Sequence, residues 1–197
     1  MLNFRKSEAF FVFALSCLFT FFLLKKSFGQ SEPHLINYKT GIKVNWDDFK
    51  GVSDENHLYQ AVTDWGITYS CGLEGDMLKF ELICQFNKNN SWVKAGHLND
   101  YLLNHEQRHW DLAEIYARKM RKALLENHYK LETLQQDVQQ LYDQYFEQCD
   151  KEQKLYDTET NHSKNEKKQA AWDKRIQTEL NRLKFYSKEK YTVKVGK

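Results

Sequence analysis

The 197-residue sequence predicts one α+β domain, a small and mainly antiparallel sheet followed by three helices. Two observations predict it. Residues 43–94 alternate apolar and polar side chains as strands do, and from about Asn99 the apolar spacing changes to three and four residues. The composition agrees, at 41% hydrophobic, 28% charged and 15% aromatic, with one proline, Pro33, and eight glycines. Such a chain is neither disordered nor built of Pro-rich linkers, and it is long enough to bury a core.

The chain opens on a targeting segment. Ala9 to Leu24 is apolar apart from Ser16 and Thr20, with Arg5 and Lys6 before it and Ser27-Phe28-Gly29 after it. The run is short for a bilayer span of about twenty residues, and small residues stand where a signal peptidase reads. Residues 1–29 are therefore expected to be a secretory signal cleaved after Gly29. Residues 30–197 then form a single exported domain, periplasmic or extracellular. The alternative is an anchor in the membrane formed by residues 9–24. The apolar run continues well past Cys17, which argues against a lipoprotein signal. Net charge is +3 over residues 1–29, and the rest has 25 basic against 26 acidic residues. A near-neutral body excludes strong attraction to nucleic acid as the main theme.

In the strand-rich part, Leu78, Phe80, Leu82, Cys84 and Phe86 share one face, as do Trp65, Ile67, Tyr69 and Cys71. A hairpin turning at Leu73–Asp76 would set Cys71 near Leu78 and Cys84 near Trp65, so the two cysteines are not expected to pair. Asn87–Asn90 reads as a turn, and Ser91–Lys94 as a short further strand. The first helix carries Leu102, His109, Ala113, Tyr116, Met120 and Leu124 on its stripe and breaks at Asn127-His128. The second begins near Leu131, with Leu134, Val138, Leu141, Tyr145 and Cys149 inward. The third begins after Ser163, which with Glu166 makes a capping-box signature, and buries Trp172, Ile176, Leu180 and Leu183. Tyr191–Val195 reads as a closing strand or a frayed tail.

The chemistry concentrates in His105-Glu-Gln-Arg-His109, an H-E-x-x-H inside the first helix. Residues i and i+4 share a helix face, so both imidazoles can converge on one Zn²⁺. Glu106 lies about 100° round the helix, beside the metal rather than on it, where it can take a proton from bound water. A catalytic zinc wants a third protein ligand and an open position. Tyr156-Asp-Thr-Glu-Thr-Asn-His162 offers candidates 48 to 53 residues beyond His109. His162, at a helix junction, ranks first, with Asp157 and Glu159 as alternates. Tyr156 is a candidate to stabilise the transition state, or else closes the stripe of the second helix. Glu114 faces away from His105, and it or Asp111 suits a salt bridge.

Several blocks occur in one order: Asn45–Gly51, Ala61–Thr63, Ser91–Lys94, Leu103–Arg118, Tyr156–His162, then Gln169 and Trp172. Together they resemble a bacterial domain-of-unknown-function family, number nine hundred and twenty-two, over roughly residues 40–185. That family is described as predicted secreted zinc-dependent peptidases of the zincin type. The resemblance implies His105, Glu106 and His109 as the site and His162 as third ligand. It also implies glycine after that histidine, where this chain has Ser163.

The expected function is hydrolysis of peptide bonds with one zinc per chain and Glu106 as general base. The expected partner is a peptide or protein substrate, held extended by strand addition near Ser91–Lys94. A membrane is a partner only if the leading segment is retained. The alternatives are an amidase acting on cell-wall peptides, or a non-enzymatic envelope protein that uses its helices as a partner surface.

Overall fold

A computed structural model describes residues 34–195. The proposed signal, Cys17 and the alternative anchor lie outside the described residues. Among the described residues no helix is long and apolar enough to cross a membrane.

The architecture is mixed α+β, with antiparallel sheets and three helices. The strands are β1 (Leu35–Asn37), β2 (Ala61–Val62), β3 (Trp65–Glu74), β4 (Met77–Asn87), β5 (Trp92–Val93) and, after the helices, β6 (Lys190–Lys194). The helices are α1 (Asp100–Glu126), α2 (Leu134–Thr160) and α3 (Glu166–Arg182). In the larger sheet β3 pairs with one side of β4, while β1 and β6 share its other side end to end. β2 and β5 form a separate two-stranded sheet.

The β3–β4 hairpin turns on Gly75 and Asp76, with Gly75 at φ +61, a conformation glycine adopts freely. Its register sets Cys71 opposite Phe80 and Cys84 opposite Ile67, two residues from the expected partners. A shift of two keeps every side chain on its face, and Leu78, Phe80, Leu82, Cys84 and Phe86 are all buried. Cys71, Cys84 and Cys149 are free thiols.

The sequence misplaces the first strand. Residues 43–60 contain no strand, and β1 lies upstream of them. Polar turn chemistry takes over there. The Asn45 side chain accepts from the Asp47 N–H, and the Asp48 carboxylate accepts from the Asn45 N–H, closing a single 3₁₀ turn.

Asn99 caps α1 by accepting from the Leu102 N–H at 2.8 Å. One face of α1 packs on the sheet, and α2 and α3 cover the rest, so its middle is buried nearly all round. Trp110 is fully buried. Glu114 sits in this core and binds two guanidiniums, Arg118 Nε at 2.7 Å and Arg121 Nη1 at 2.8 Å. Arg118 also donates to the Leu180 carbonyl, and Arg121 to the Leu82 carbonyl, so the triad ties α1 to α3 and to β4.

α2 starts at Leu134, three residues later than expected, because Leu131–Thr133 form a turn. The link to α3 also departs from the capping signature. Asn161, His162 and Ser163 hold φ values of 49, 50 and 68, a left-handed run without glycine. An N-cap residue needs extended backbone, so Asn165 caps α3 instead, accepting from the Lys168 N–H at 3.1 Å. The positive φ of Ser163 gives the physical reason why a glycine would suit that position.

Removing one charge from the buried triad leaves two guanidiniums under-compensated. Glu114→Gln is expected to lower unfolding free energy by about 3–5 kcal/mol in urea titration. A loss below about 1 kcal/mol would show that the triad does not hold α1 in place.

Candidate metal centre

His105 and His109 lie one turn apart on α1, with ring centroids 4.9 Å apart and ring planes near perpendicular at 89°. α2 packs along α1 and delivers Asp157 from its last turn. Three atoms then meet. His105 Nε2 and His109 Nε2 are 3.3 Å apart, and Asp157 Oδ1 lies 3.2 Å from the first and 3.1 Å from the second. A tetrahedral metal with bonds of about 2.0 Å separates its ligands by about 3.3 Å. The triangle therefore has the edge lengths of one face of such a site. Among the described residues, His105, His109 and Asp157 form a group of donors that lie mutually within 4.8 Å.

The opposite ring nitrogens are held by amides. His109 Nδ1 is 2.6 Å from Gln153 Oε1, and Gln153 Nε2 donates to the His109 carbonyl at 2.8 Å. A carbonyl can only accept, so the Gln153 amide is fixed with its oxygen toward Nδ1. Nδ1 must carry hydrogen, and in the neutral ring the Nε2 lone pair faces Asp157 and His105. His105 Nδ1 meets Gln169 Oε1 at 2.9 Å in the same manner. Ligand histidines are commonly steadied in this way.

Glu106 is nearly fully buried beside this group, and the Thr63 hydroxyl donates to its Oε2 at 2.8 Å. Thr63 follows β2 directly, so the small sheet is tied to the site. His162 stands next to Asp157 without joining the triangle. Its Nδ1 is 3.6 Å from Asp157 Oδ1, its side chain is 40% exposed, and its ring lies against Tyr59 at 4.5 Å. Glu159 points elsewhere, accepting from the Trp172 indole at 2.9 Å and pairing with Lys168 at 3.5 Å. Tyr156 is fully buried, stacked on His105 at 4.7 Å, and its hydroxyl donates to the His105 carbonyl. In that position it braces the histidines. Gln153 carried no role in the sequence, although a glutamine four residues after Cys149 on a buried stripe needs a partner. In the sequence, Gln169 and Thr63 stand out only as parts of the family resemblance.

A family model described as "Bacterial protein of unknown function (DUF922)" matches residues 26–163. The chain belongs to this family. No curated protein and no solved structure matches it. The DUF922 match includes His105, Glu106, His109, Gln153 and Asp157 and stops before α3, so Gln169 lies beyond it.

Electrostatics in this DUF922 member bind the triangle together. Burial opposes charge on His109, but the Asp157 charge and hydrogen bond prevail and raise its pKa from 6.5 to about 9. Burial likewise opposes charge on Asp157, yet the His109 charge and both histidine hydrogen bonds hold its carboxyl well below the usual range. Protons and a metal compete for the same Nε2 atoms.

The signs follow by linkage. A raised His109 pKa contributes stability that is full below pH 6.5 and lost as pH rises through about 9. The lowered Asp157 pKa contributes stability present above pH 3.8 and lost in acid. Metal-free protein is therefore expected to show a falling urea midpoint between pH 6.5 and about 9, and Asp157→Asn to flatten that fall. A midpoint that rises across this window contradicts the ion pair.

Proposed function

We propose that the chain is an exported zinc-dependent hydrolase of peptide bonds, with His105, His109 and Asp157 holding the metal and Glu106 as general base and acid. The observation that carries the reading is the donor triangle, with a buried carboxylate one residue after His105. The donor set fits the group, since two neutral imidazoles and a carboxylate suit zinc and leave a further position open. Zinc so bound lowers the pKa of water and polarises a carbonyl.

The chain's own residues supply the remainder. Glu106 takes a proton from the attacking water and hands it to the leaving amine, returning to its starting state. The Thr63 hydroxyl holds the Glu106 carboxylate in place meanwhile. Gln153 and Gln169 keep the imidazoles turned toward the shared point. The β2–β5 sheet is tied to Glu106 through Thr63, and strand addition to that sheet would hold a substrate backbone extended. The apolar run at residues 9–24 supports export.

Glu106→Gln separates an enzyme from a protein with a structural metal. The substitution is expected to leave zinc content unchanged and to cut cleavage of a quenched-fluorescent peptide library by about 10²–10⁴-fold. Unchanged cleavage would remove Glu106 from the mechanism. Cleavage undetectable in the unmodified chain, with zinc bound, would favour the non-enzymatic envelope protein.

A further inference from the structure

One carboxylate outside the motif lies behind the Gln169 amide that meets His105. Asp173, one turn after Gln169 on α3, accepts from Gln169 Nε2 at 2.9 Å, from Arg108 Nε at 2.9 Å and from Asn104 Nδ2 at 3.1 Å. Arg108 is itself fixed at its other end, where Nη1 meets Asp111 Oδ2 at 2.7 Å. Asp111 in turn accepts from the Tyr38 hydroxyl and from Gln107. The carboxylate is thus surrounded by donors and has none to offer.

Consider the Gln169 amide between Asp173 and His105. Gln169 is almost fully buried, so its amide must find its partners within the protein. With Nε2 toward Asp173, Oε1 faces His105 Nδ1 at 2.9 Å. Turned over, Oε1 would face the Asp173 carboxylate, oxygen against oxygen. The Tyr156 hydroxyl lies 2.7 Å from Gln169 Nε2 and 3.0 Å from Oε1, and since a hydroxyl can donate or accept, it fits this orientation without imposing it. Asp173, which can only accept, is the neighbour that chooses the orientation.

We propose that Asp173 is a positioning residue of the metal centre: it fixes the Gln169 amide so that His105 carries hydrogen on Nδ1 and keeps its Nε2 lone pair for the metal. This rests on the reading of His105 as a ligand. It gives Asn104 and Arg108, which flank His105 on α1, a shared task in anchoring Asp173. Gln169 and Asp173 both lie beyond the residues matched by the family model. The two histidines are oriented by the same logic with different anchors, a backbone carbonyl for His109 and a carboxylate for His105.

The test is a double-mutant cycle read as zinc affinity of the full chain, by competition with a chromogenic chelator. Asp173→Asn introduces an amide that can donate to a turned-over Gln169, and Gln169→Met removes the amide altogether. Asp173→Asn alone is expected to weaken zinc binding by about 10–100-fold. In the Gln169→Met background the same change is expected to alter affinity by less than about threefold, because the two act in series. Equal weakening in both backgrounds would make Asp173 a scaffold residue and overturn the proposal, as would Asp173→Asn with unaltered affinity.

A metal-independent arm uses long-range ¹H–¹⁵N spectra of the metal-free full chain. A proton on His105 Nδ1 in the unmodified protein, depleted in Asp173→Asn, is the expected result. An unprotonated Nδ1 in the unmodified protein overturns the proposal even if every variant fails to fold. A chain that takes up no zinc defeats the metal reading, while the Nδ1 proton still decides the role of Asp173.

Discussion

The contact on which the structure turns is a carboxylate held between two imidazoles in the seam of α1 and α2. Asp157 Oδ1 lies 3.2 Å and 3.1 Å from the two Nε2 atoms. Polar atoms in a largely buried seam are costly unless each has a partner. The surroundings supply those partners. Gln153 serves His109, Gln169 serves His105, and Tyr156 packs its ring on both imidazoles while bonding the His105 carbonyl. All three helices contribute, so the site forms only when the bundle does. The buried Glu114–Arg118–Arg121 triad, further along α1, fixes that helix against β4 and α3 and so sets the height of His105 and His109 in the seam.

Charge and backbone conformation meet at the end of α2. The helix runs as far as Thr160, which places Asp157 on the same inner stripe as Gln153 and Tyr156. Immediately beyond, three left-handed residues turn the chain toward α3 and leave the His162 ring against Tyr59, half exposed. A side chain on the helix is held by its neighbours' packing, whereas one in the link is held chiefly by the turn. That contrast sets Asp157, rather than His162, against both imidazoles.

Much of this was legible in the sequence. The H-E-x-x-H spacing carries its own geometry, and Asn99 marked the start of α1 correctly. The buried faces of β3 and β4 followed from alternation, and a register two residues off left them intact. Other features depend on contacts distant in sequence. β1 has three residues and exists because β4 offers it an edge, and β6 reaches β4 from the far end of the chain. Whether Asp157 or His162 faces the two imidazoles depends on where α2 ends, which the left-handed Asn161 marks. Gln153 and Gln169 became readable only when their amides were seen facing ring nitrogens across a helix interface.

Zinc stoichiometry tests the central claim most directly. Elemental mass spectrometry on the full chain and on His105→Ala, Asp157→Ala and His162→Ala variants, each incubated with zinc and desalted, reads which residues hold the ion. The account predicts one zinc per chain, lost in His105→Ala and Asp157→Ala and retained in His162→Ala. No zinc on the unmodified chain would contradict a metal centre, and zinc retained without Asp157 but lost without His162 would contradict the donor triangle.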